Sequence, residues 1–307
     1  METFPERQSG VNRILKSTPE QEAKLLKLFG EKIKNQDFHW YERKKTSEEL
    51  MTIEEVLIDL PSFVQEYGGR PLSSLTPEIV HIIDIPTLST SQRETLELST
   101  EVGWYLSLTQ EVMVIPNDAS LLSTAHRIVH ELMHLESYTS LQVQNESNEL
   151  VPRRIGLSVL DRAGKKRYFK YLEEAIVEEL VRRFDARYFG RIEPLQDDWQ
   201  ARARLLPGDA HQSDIAAIVT KQLPNGRWQA TPEYYLYPEE RKKLKAVIAE
   251  IYAKHRSKFK SEEDVFRTFA KATLTGNMLP LGRLVEATFG RGALRRLAEE
   301  TKHQDIS

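Results

Sequence analysis

The chain has 307 residues, of which 40% are hydrophobic and 29% charged, as in a globular protein with a sizeable core and unlike a disordered or fibrous chain. Its 43 basic and 46 acidic residues give a net charge of −3, so the overall charge does not indicate a nucleic acid or an anionic membrane as partner. The absence of cysteine excludes disulfides, thiolate metal sites and cysteine nucleophiles.

The sequence also lacks the usual signals of a secreted or membrane protein. Its first residues, METFPERQSGVNR, carry charge and proline where a signal peptide needs an apolar run. No stretch approaches the roughly 18 apolar residues that a membrane-spanning helix requires. We therefore expect a cytoplasmic protein with no clear nucleic-acid or membrane partner.

Residues 1–90 are predicted to form a mostly helical accessory region. Apolar side chains recur at helical spacing in residues 17–36. Residues 48–69 are predicted to be a second helical stretch, interrupted at Pro61 and closed by Gly68 and Gly69. Residues 79–85, IVHIIDI, form a β-branched run that predicts a short buried strand.

The next region, residues 91–190, mixes strands with helices. Two strands are predicted first, then a helix without internal Gly or Pro, a hairpin, and a second amphipathic helix. Their expected ranges are 104–108, 111–115, 117–141, 154–169 with a turn at 162–164, and 171–190. Asn117, Asp118 and Ser120 are candidate caps of the first helix.

Residues 191–307 are predicted to be mostly helical. Helical periodicity is clear in residues 238–259, 261–277 and 281–300. With the mixed middle region, this predicts an α+β fold.

The first of the two middle helices contains HELMH, in which His130 and His134 flank Glu131. Histidines four residues apart project from one helix face about 6 Å apart, so both imidazoles can reach one metal ion. A glutamate beside the first histidine can take a proton from a metal-activated water. The alternative is a helix face that merely happens to be rich in histidine.

A third metal ligand must come from elsewhere in the chain. His126 precedes His130 by one turn, but the rise of about 12 Å from His126 to His134 is too long for both to bind one ion. The metzincin pattern HExxHxxGxxH fails, because Ser137 and Ser140 stand at its glycine and its third histidine.

Glutamates on the second helix are the remaining option. Its sequence YLEEAIVEEL offers four candidates, Glu173, Glu174, Glu178 and Glu179. A carboxylate beside the apolar stripe of this helix costs desolvation unless it is paired or binds a metal. Glu136, Glu146 and Glu149 are further candidates, in the exit of the first helix or in loop-like sequence.

HELMH followed by LEEAIVEEL resembles the gluzincin metallopeptidases, the thermolysin-like family, whose second helix has the pattern (N/E)-E-(A/G)-x-x-(D/E). The resemblance covers about residues 100–190. It implies that His130, His134 and Glu174 bind one zinc ion. Glu173 stands where asparagine is common in the family.

The resemblance also implies further roles and a fold. Glu131 is expected to be the general base, and Glu178 is expected to hydrogen-bond a ligand histidine and fix its tautomer, which favours Glu174 as the ligand one turn earlier. Residues 91–190 would be a zincin-like catalytic core, in which EVMVIP, residues 111–116, is the edge strand that a peptide substrate extends.

The implied activity is zinc-dependent hydrolysis of peptide bonds in a peptide or protein substrate. Four side chains are candidates for stabilising the oxyanion, and the sequence does not choose among them: His211, Tyr234, Tyr235 and Tyr237. The alternative function is a zinc-binding regulatory module, or one that contacts protein or nucleic acid, on the same scaffold.

Overall fold

A computed structural model describes residues 7, 9–34, 42–73, 75–85, 88, 102–117, 119–144, 149–161, 163–205, 214–222 and 226–299. Within these ranges the chain forms nine α-helices. They are α1 Pro19–Lys34, α2 Ser47–Glu66, α3 Leu121–Glu136, α4 Lys170–Tyr188, α5 Gln196–Leu205, α6 Pro238–Lys254, α7 Glu262–Thr275, α8 Met278–Phe289 and α9 Ala293–Glu299.

Ten strands in the described ranges form three small open sheets, so the predicted α+β class is confirmed. The strands are β1 Val11–Leu15, β2 Val80–Ile82, β3 Gly103–Leu106, β4 Glu111–Val114, β5 Thr139–Val143, β6 Leu150–Ile155, β7 Ser158–Leu160, β8 Arg167–Tyr168, β9 Ile215–Gln222 and β10 Trp228–Tyr234. Their orders are β1-β5-β6-β7-β8, β2-β4-β3 and β9-β10.

The three-stranded sheet corrects one expectation. β4, which corresponds to the predicted edge strand EVMVIP, is the central strand, parallel to β2 and antiparallel to β3. All four residues of β4 are buried, and the apolar run 112–114 is what a central strand favours. The partly exposed β3 is an edge of this sheet among the described strands.

Helix α3 carries the HELMH sequence, and Ser120 directly precedes its first residue. The Ser120 hydroxyl accepts a hydrogen bond from the backbone N–H of Ser123, as an N-cap does. Asp118, another predicted cap, lies outside the described residues. The helix ends at Glu136, five residues earlier than predicted, because residues 139–143 leave it to form β5 between β1 and β6.

The segment between α3 and α4 is an antiparallel meander of four strands, β5 to β8. The predicted hairpin exists as β7 and β8, and β6 adds a further antiparallel strand through a turn at Gly156. Helix α4 then runs over almost the predicted range and is followed by a 3₁₀ turn at Phe189–Arg191.

The region after α4 contains a hairpin that the sequence did not predict. β9 and β10 pair antiparallel, with Pro232 opposite Ile218. A proline inside a strand argues against strand structure, and β10 tolerates it because it is an edge of a two-stranded sheet within the described residues.

One large apolar cluster holds the two middle helices in place. It includes side chains from α2, α3, α4 and the C-terminal helices, with Phe63 and Phe184 packed edge to face at 5.3 Å between ring centroids. Burying each such side chain stabilises the fold by about 1.5–3 kcal/mol. The division at residues 90 and 190 into accessory, core and C-terminal regions stays a prediction.

No helix within the described residues is long and apolar enough to cross a membrane.

Candidate metal centre

Helices α3 and α4 pack together and bring three predicted ligands to one point. The Nε2 atoms of His130 and His134 are 3.2 Å apart, and each lies 3.3 Å from Oε2 of Glu174. These side chains are the one group of three or more His, Asp or Glu residues that could hold a metal ion among the residues the structure describes.

The size of this triangle fits a small divalent cation. A tetrahedral zinc ion with bonds of about 2.0 Å to nitrogen and oxygen separates its ligand atoms by about 3.3 Å. The three measured separations of 3.2–3.3 Å agree with that value. Two imidazoles and one carboxylate are also a donor set that catalytic zinc sites use with the fourth position open.

Glu178 orients the first histidine. Its Oε2 accepts a hydrogen bond at 2.7 Å from Nδ1 of His130, while its Oε1 accepts one at 2.7 Å from the backbone N–H of Leu236. Because a carboxylate only accepts, the Nδ1 atom of His130 carries the proton, and the lone pair of Nε2 points at the cluster. His134 has no such support, since its buried Nδ1 has no partner among the described residues.

The three side chains of the cluster shift one another's pKa values. Burial raises the pKa of Glu174, but His134 and hydrogen bonds from both histidines outweigh it and hold that pKa well below its usual range. Burial likewise lowers the pKa values of His130 and His134, yet the surrounding carboxylates raise both overall. The carboxylates thus favour positive charge at this point, and a divalent cation would compete there with protons.

Glu131 faces the same cleft from the next position of α3. Its side chain is buried, and Gly103 at the start of β3 lies against it, since a Cβ at Gly103 would be 2.8 Å from Oε1 of Glu131. The cleft has a volume of about 600 Å³ and is lined by Glu131 together with all three candidate ligands. Glu131 therefore lines the same cleft as the three candidate ligands.

Glu173, the competing candidate for the third ligand, points elsewhere. Its Oε2 accepts hydrogen bonds from the N–H of Leu157 at 2.6 Å and the hydroxyl of Thr273 at 3.1 Å. Burial raises its pKa to about 7. Gly156 packs on this carboxylate at a φ of +54°, and a Cβ there would come within 1.8 Å of it. Glu173 is thus part of the packing between the meander and α4.

His126 lies outside the cluster, as helix geometry predicted. Its Nε2 is 2.9 Å from Oδ2 of Asp185, which also accepts hydrogen bonds from Arg202 and from the hydroxyl of Tyr235. Burial opposes the charge of Asp185, but His126 and Arg202 outweigh it and hold its pKa well below the usual range.

Comparisons with protein-family models, with curated proteins and with solved structures found no match to this chain. The buried His/His/Glu cluster is therefore what the structure establishes, and a family assignment belongs with the proposed function.

The three candidate tyrosines have different surroundings. Tyr234 is 57% exposed, and Tyr235 is buried on Asp185. Tyr237 lines the cleft, with its ring 6.1 Å from that of His130 and at 25° to it. His211, the fourth oxyanion candidate, and Glu146, a weighed ligand, lie outside the described residues.

Part of the cleft lining was only partly predicted, because the sequence offered Tyr237 as one of four oxyanion candidates and did not mark Leu236. Leu236 and Tyr237 come from the segment after β10, about 50 residues beyond the end of α4, and no motif marks them. The signal that could have found them is the run of tyrosines, but its spacing does not show which one faces the cleft.

Proposed function

We propose that this protein is a zinc-dependent peptidase of the gluzincin type, with a zincin-like catalytic core. One observation carries the proposal: His130, His134 and Glu174 converge at zinc-ligand spacing in a cleft that Glu131 also lines. A purely structural zinc site would close its fourth position with a protein ligand and would have no use for Glu131.

The chemistry follows from the positions of the side chains. His130, His134 and Glu174 would hold the zinc ion, which would supply Lewis acidity to a water molecule and to the substrate carbonyl group. Glu131 accepts the proton as the water attacks the peptide carbonyl carbon, and then passes that proton to the leaving amine. Glu178 keeps His130 in the tautomer that offers Nε2 to the metal.

The walls of the cleft support a peptide substrate. β3 borders the cleft at residues 103–105 and is an edge among the described strands, so an extended peptide can pair with it. Tyr237 also lines the cleft, and its phenol is the candidate donor to the oxyanion that forms on the carbonyl oxygen.

The test is cleavage of a broad peptide library by zinc-loaded protein, with Glu131→Gln as the decisive variant. Loss of the general base should lower kcat by about 10²–10⁴-fold, while zinc content stays at the wild-type level. Full activity in Glu131→Gln would rule out the mechanism. Zinc binding without any cleavage by the wild-type chain would instead favour a regulatory or interaction module.

A further inference from the structure

A second groove adjoins the metal cleft. It has a volume of about 520 Å³ and crosses the five-stranded sheet, with side chains from β5, β6, β7 and β8 and from the end of β1 in its lining. Arg167 on β8 lines both this second groove, the sheet groove, and the metal cleft. A bound peptide that leaves the metal cleft past Arg167 would therefore enter the sheet groove.

The sheet groove carries an excess of positive charge. Lys16, Arg153 and Arg167 line it, against the one acidic side chain of Asp161. The carboxylate of Asp161 is already engaged, because it accepts a hydrogen bond at 2.8 Å from the backbone N–H of Lys165. None of the three cations forms an ion pair with a carboxylate of the described residues.

Arg167 lies where the metal cleft and the sheet groove meet and is held in place by a hydrogen bond. Its side chain is partly buried, and its Nη1 donates a hydrogen bond at 3.3 Å to the hydroxyl of Ser158. Burial lowers its pKa, and Glu174 opposes that shift from within the metal cleft. A partly desolvated guanidinium offers a planar fork of donors that matches a carboxylate.

We propose that the substrate is a polypeptide with acidic side chains, and that Arg167 binds one of these carboxylates where the metal cleft meets the sheet groove. This inference rests on the proposed function, because the bound polypeptide is a substrate only if the protein is a peptidase. The binding itself does not require turnover. The sheet groove continues beyond Arg167 with two further cations, so it fits an acidic side chain within a chain rather than a terminal carboxylate.

The experiment uses full-length, zinc-loaded Glu131→Gln protein, which should bind peptides without cleaving them. The immobilised protein is offered a randomised library of N-acetylated, C-amidated dodecapeptides, and the retained peptides are sequenced by mass spectrometry. Asp and Glu should be enriched roughly tenfold over Asn and Gln at one or two positions, as one charge-assisted hydrogen bond provides.

Matched variants in the same background locate the effect. Arg167→Gln should abolish the enrichment, whereas Lys165→Gln, the same charge change on a hairpin residue outside both grooves, should leave it intact. Arg167→Glu should reverse the preference to Lys and Arg, a gain that a misfolded protein cannot show. Zinc content and thermal midpoint are measured for every variant.

Three results would overturn the inference. They are no acidic enrichment in the Glu131→Gln background, equal enrichment after Arg167→Gln, and enrichment only when the library has free C-termini. An active peptidase without acidic preference would remove this inference and leave the proposed function intact. If the protein has no peptidase activity but binds acidic peptides through Arg167, the proposed function is wrong and the binding of acidic peptides stands.

Discussion

Two histidine–carboxylate clusters lie between the same two antiparallel helices and differ in what completes them. Near the start of α3, His126 meets Asp185, and this carboxylate also receives Arg202 and Tyr235. Two turns later, His134 contacts Glu174, whose hydrogen-bond partners are the two histidines of HELMH. The first cluster contains a permanent cation; the second opens on a cleft.

The difference shows that helical spacing of histidines does not define a metal site by itself. His126, His130 and His134 repeat every four residues and all three lie near carboxylates of α4. At Asp185 a guanidinium supplies the positive charge, so the site needs no ion. At Glu174 three acceptor atoms converge and the positive charge has to come from protons or a metal.

The largest expected effect is on the cluster that contains Arg202. Asp185→Asn leaves this buried guanidinium without its anion, which should reduce the free energy of unfolding by about 3–5 kcal/mol. Urea unfolding measures the loss, and the folded variant should still bind one zinc per chain. Loss of zinc from folded Asp185→Asn would show that the two clusters are not separable.

The same variant should change the pH dependence of stability. The folded-state pKa of Asp185 lies below its ordinary value of 3.8, so its stabilisation is present above that value and is lost as the pH falls below it. The wild type should therefore lose its advantage over Asp185→Asn on acidification from pH 5 towards pH 2, as measured by urea unfolding. A constant difference would contradict this assignment.

The tyrosines after β10 allow the second test, since Tyr235 contacts one cluster and Tyr237 borders the other. Tyr237→Phe should lower kcat by about 10²–10³-fold if its phenol stabilises the oxyanion. Tyr235→Phe should lower the free energy of unfolding by about 1–3 kcal/mol and spare activity per folded chain. The exposed Tyr234→Phe is the control for both, and equal activities of Tyr237→Phe and Tyr234→Phe would exclude the catalytic role.

The smallest effect is expected where a carboxylate supports a ligand. In Glu178→Gln one acceptor is replaced by a donor, so the side chain cannot serve both His130 and Leu236. Zinc affinity should fall by about 10–100-fold in competition with a chromophoric chelator. Asp185→Asn is the matched control, a buried carboxylate of α4 that holds a histidine outside the metal cluster, and should not change zinc affinity.

Local sequence was sufficient for the parts of the molecule with strong periodicity or a motif. It placed α2, α3, α4 and the strands β2, β3 and β4 within a few residues. The interruption predicted at Pro61 was wrong, because α2 continues through this residue. It also pointed to the three side chains that the structure brings within 4.8 Å, because both helices carry their residues at fixed spacing. Helix geometry was sufficient to separate His126 from His134.

What the sequence could not give depends on long-range packing. The order of β2, β4 and β3 is set by tertiary contacts, and so the predicted edge strand is central. The β9–β10 hairpin lies in a region that was predicted to be mostly helical, and Pro232 within β10 is untypical of a strand. The partnership of Asp185 with Arg202 and Tyr235 joins residues 17 and 50 positions apart, and no periodic pattern records such a pairing.

The most direct test of the account is zinc stoichiometry in two adjacent variants. Chelator-stripped wild-type protein should take up one zinc per chain, and Glu174→Gln should weaken binding by more than the roughly 100-fold that loss of a supporting residue can cost. Glu173→Gln, one residue away on the same helix, should bind zinc like the wild type. No stoichiometric zinc in the wild type, or unchanged affinity in Glu174→Gln, would contradict the account.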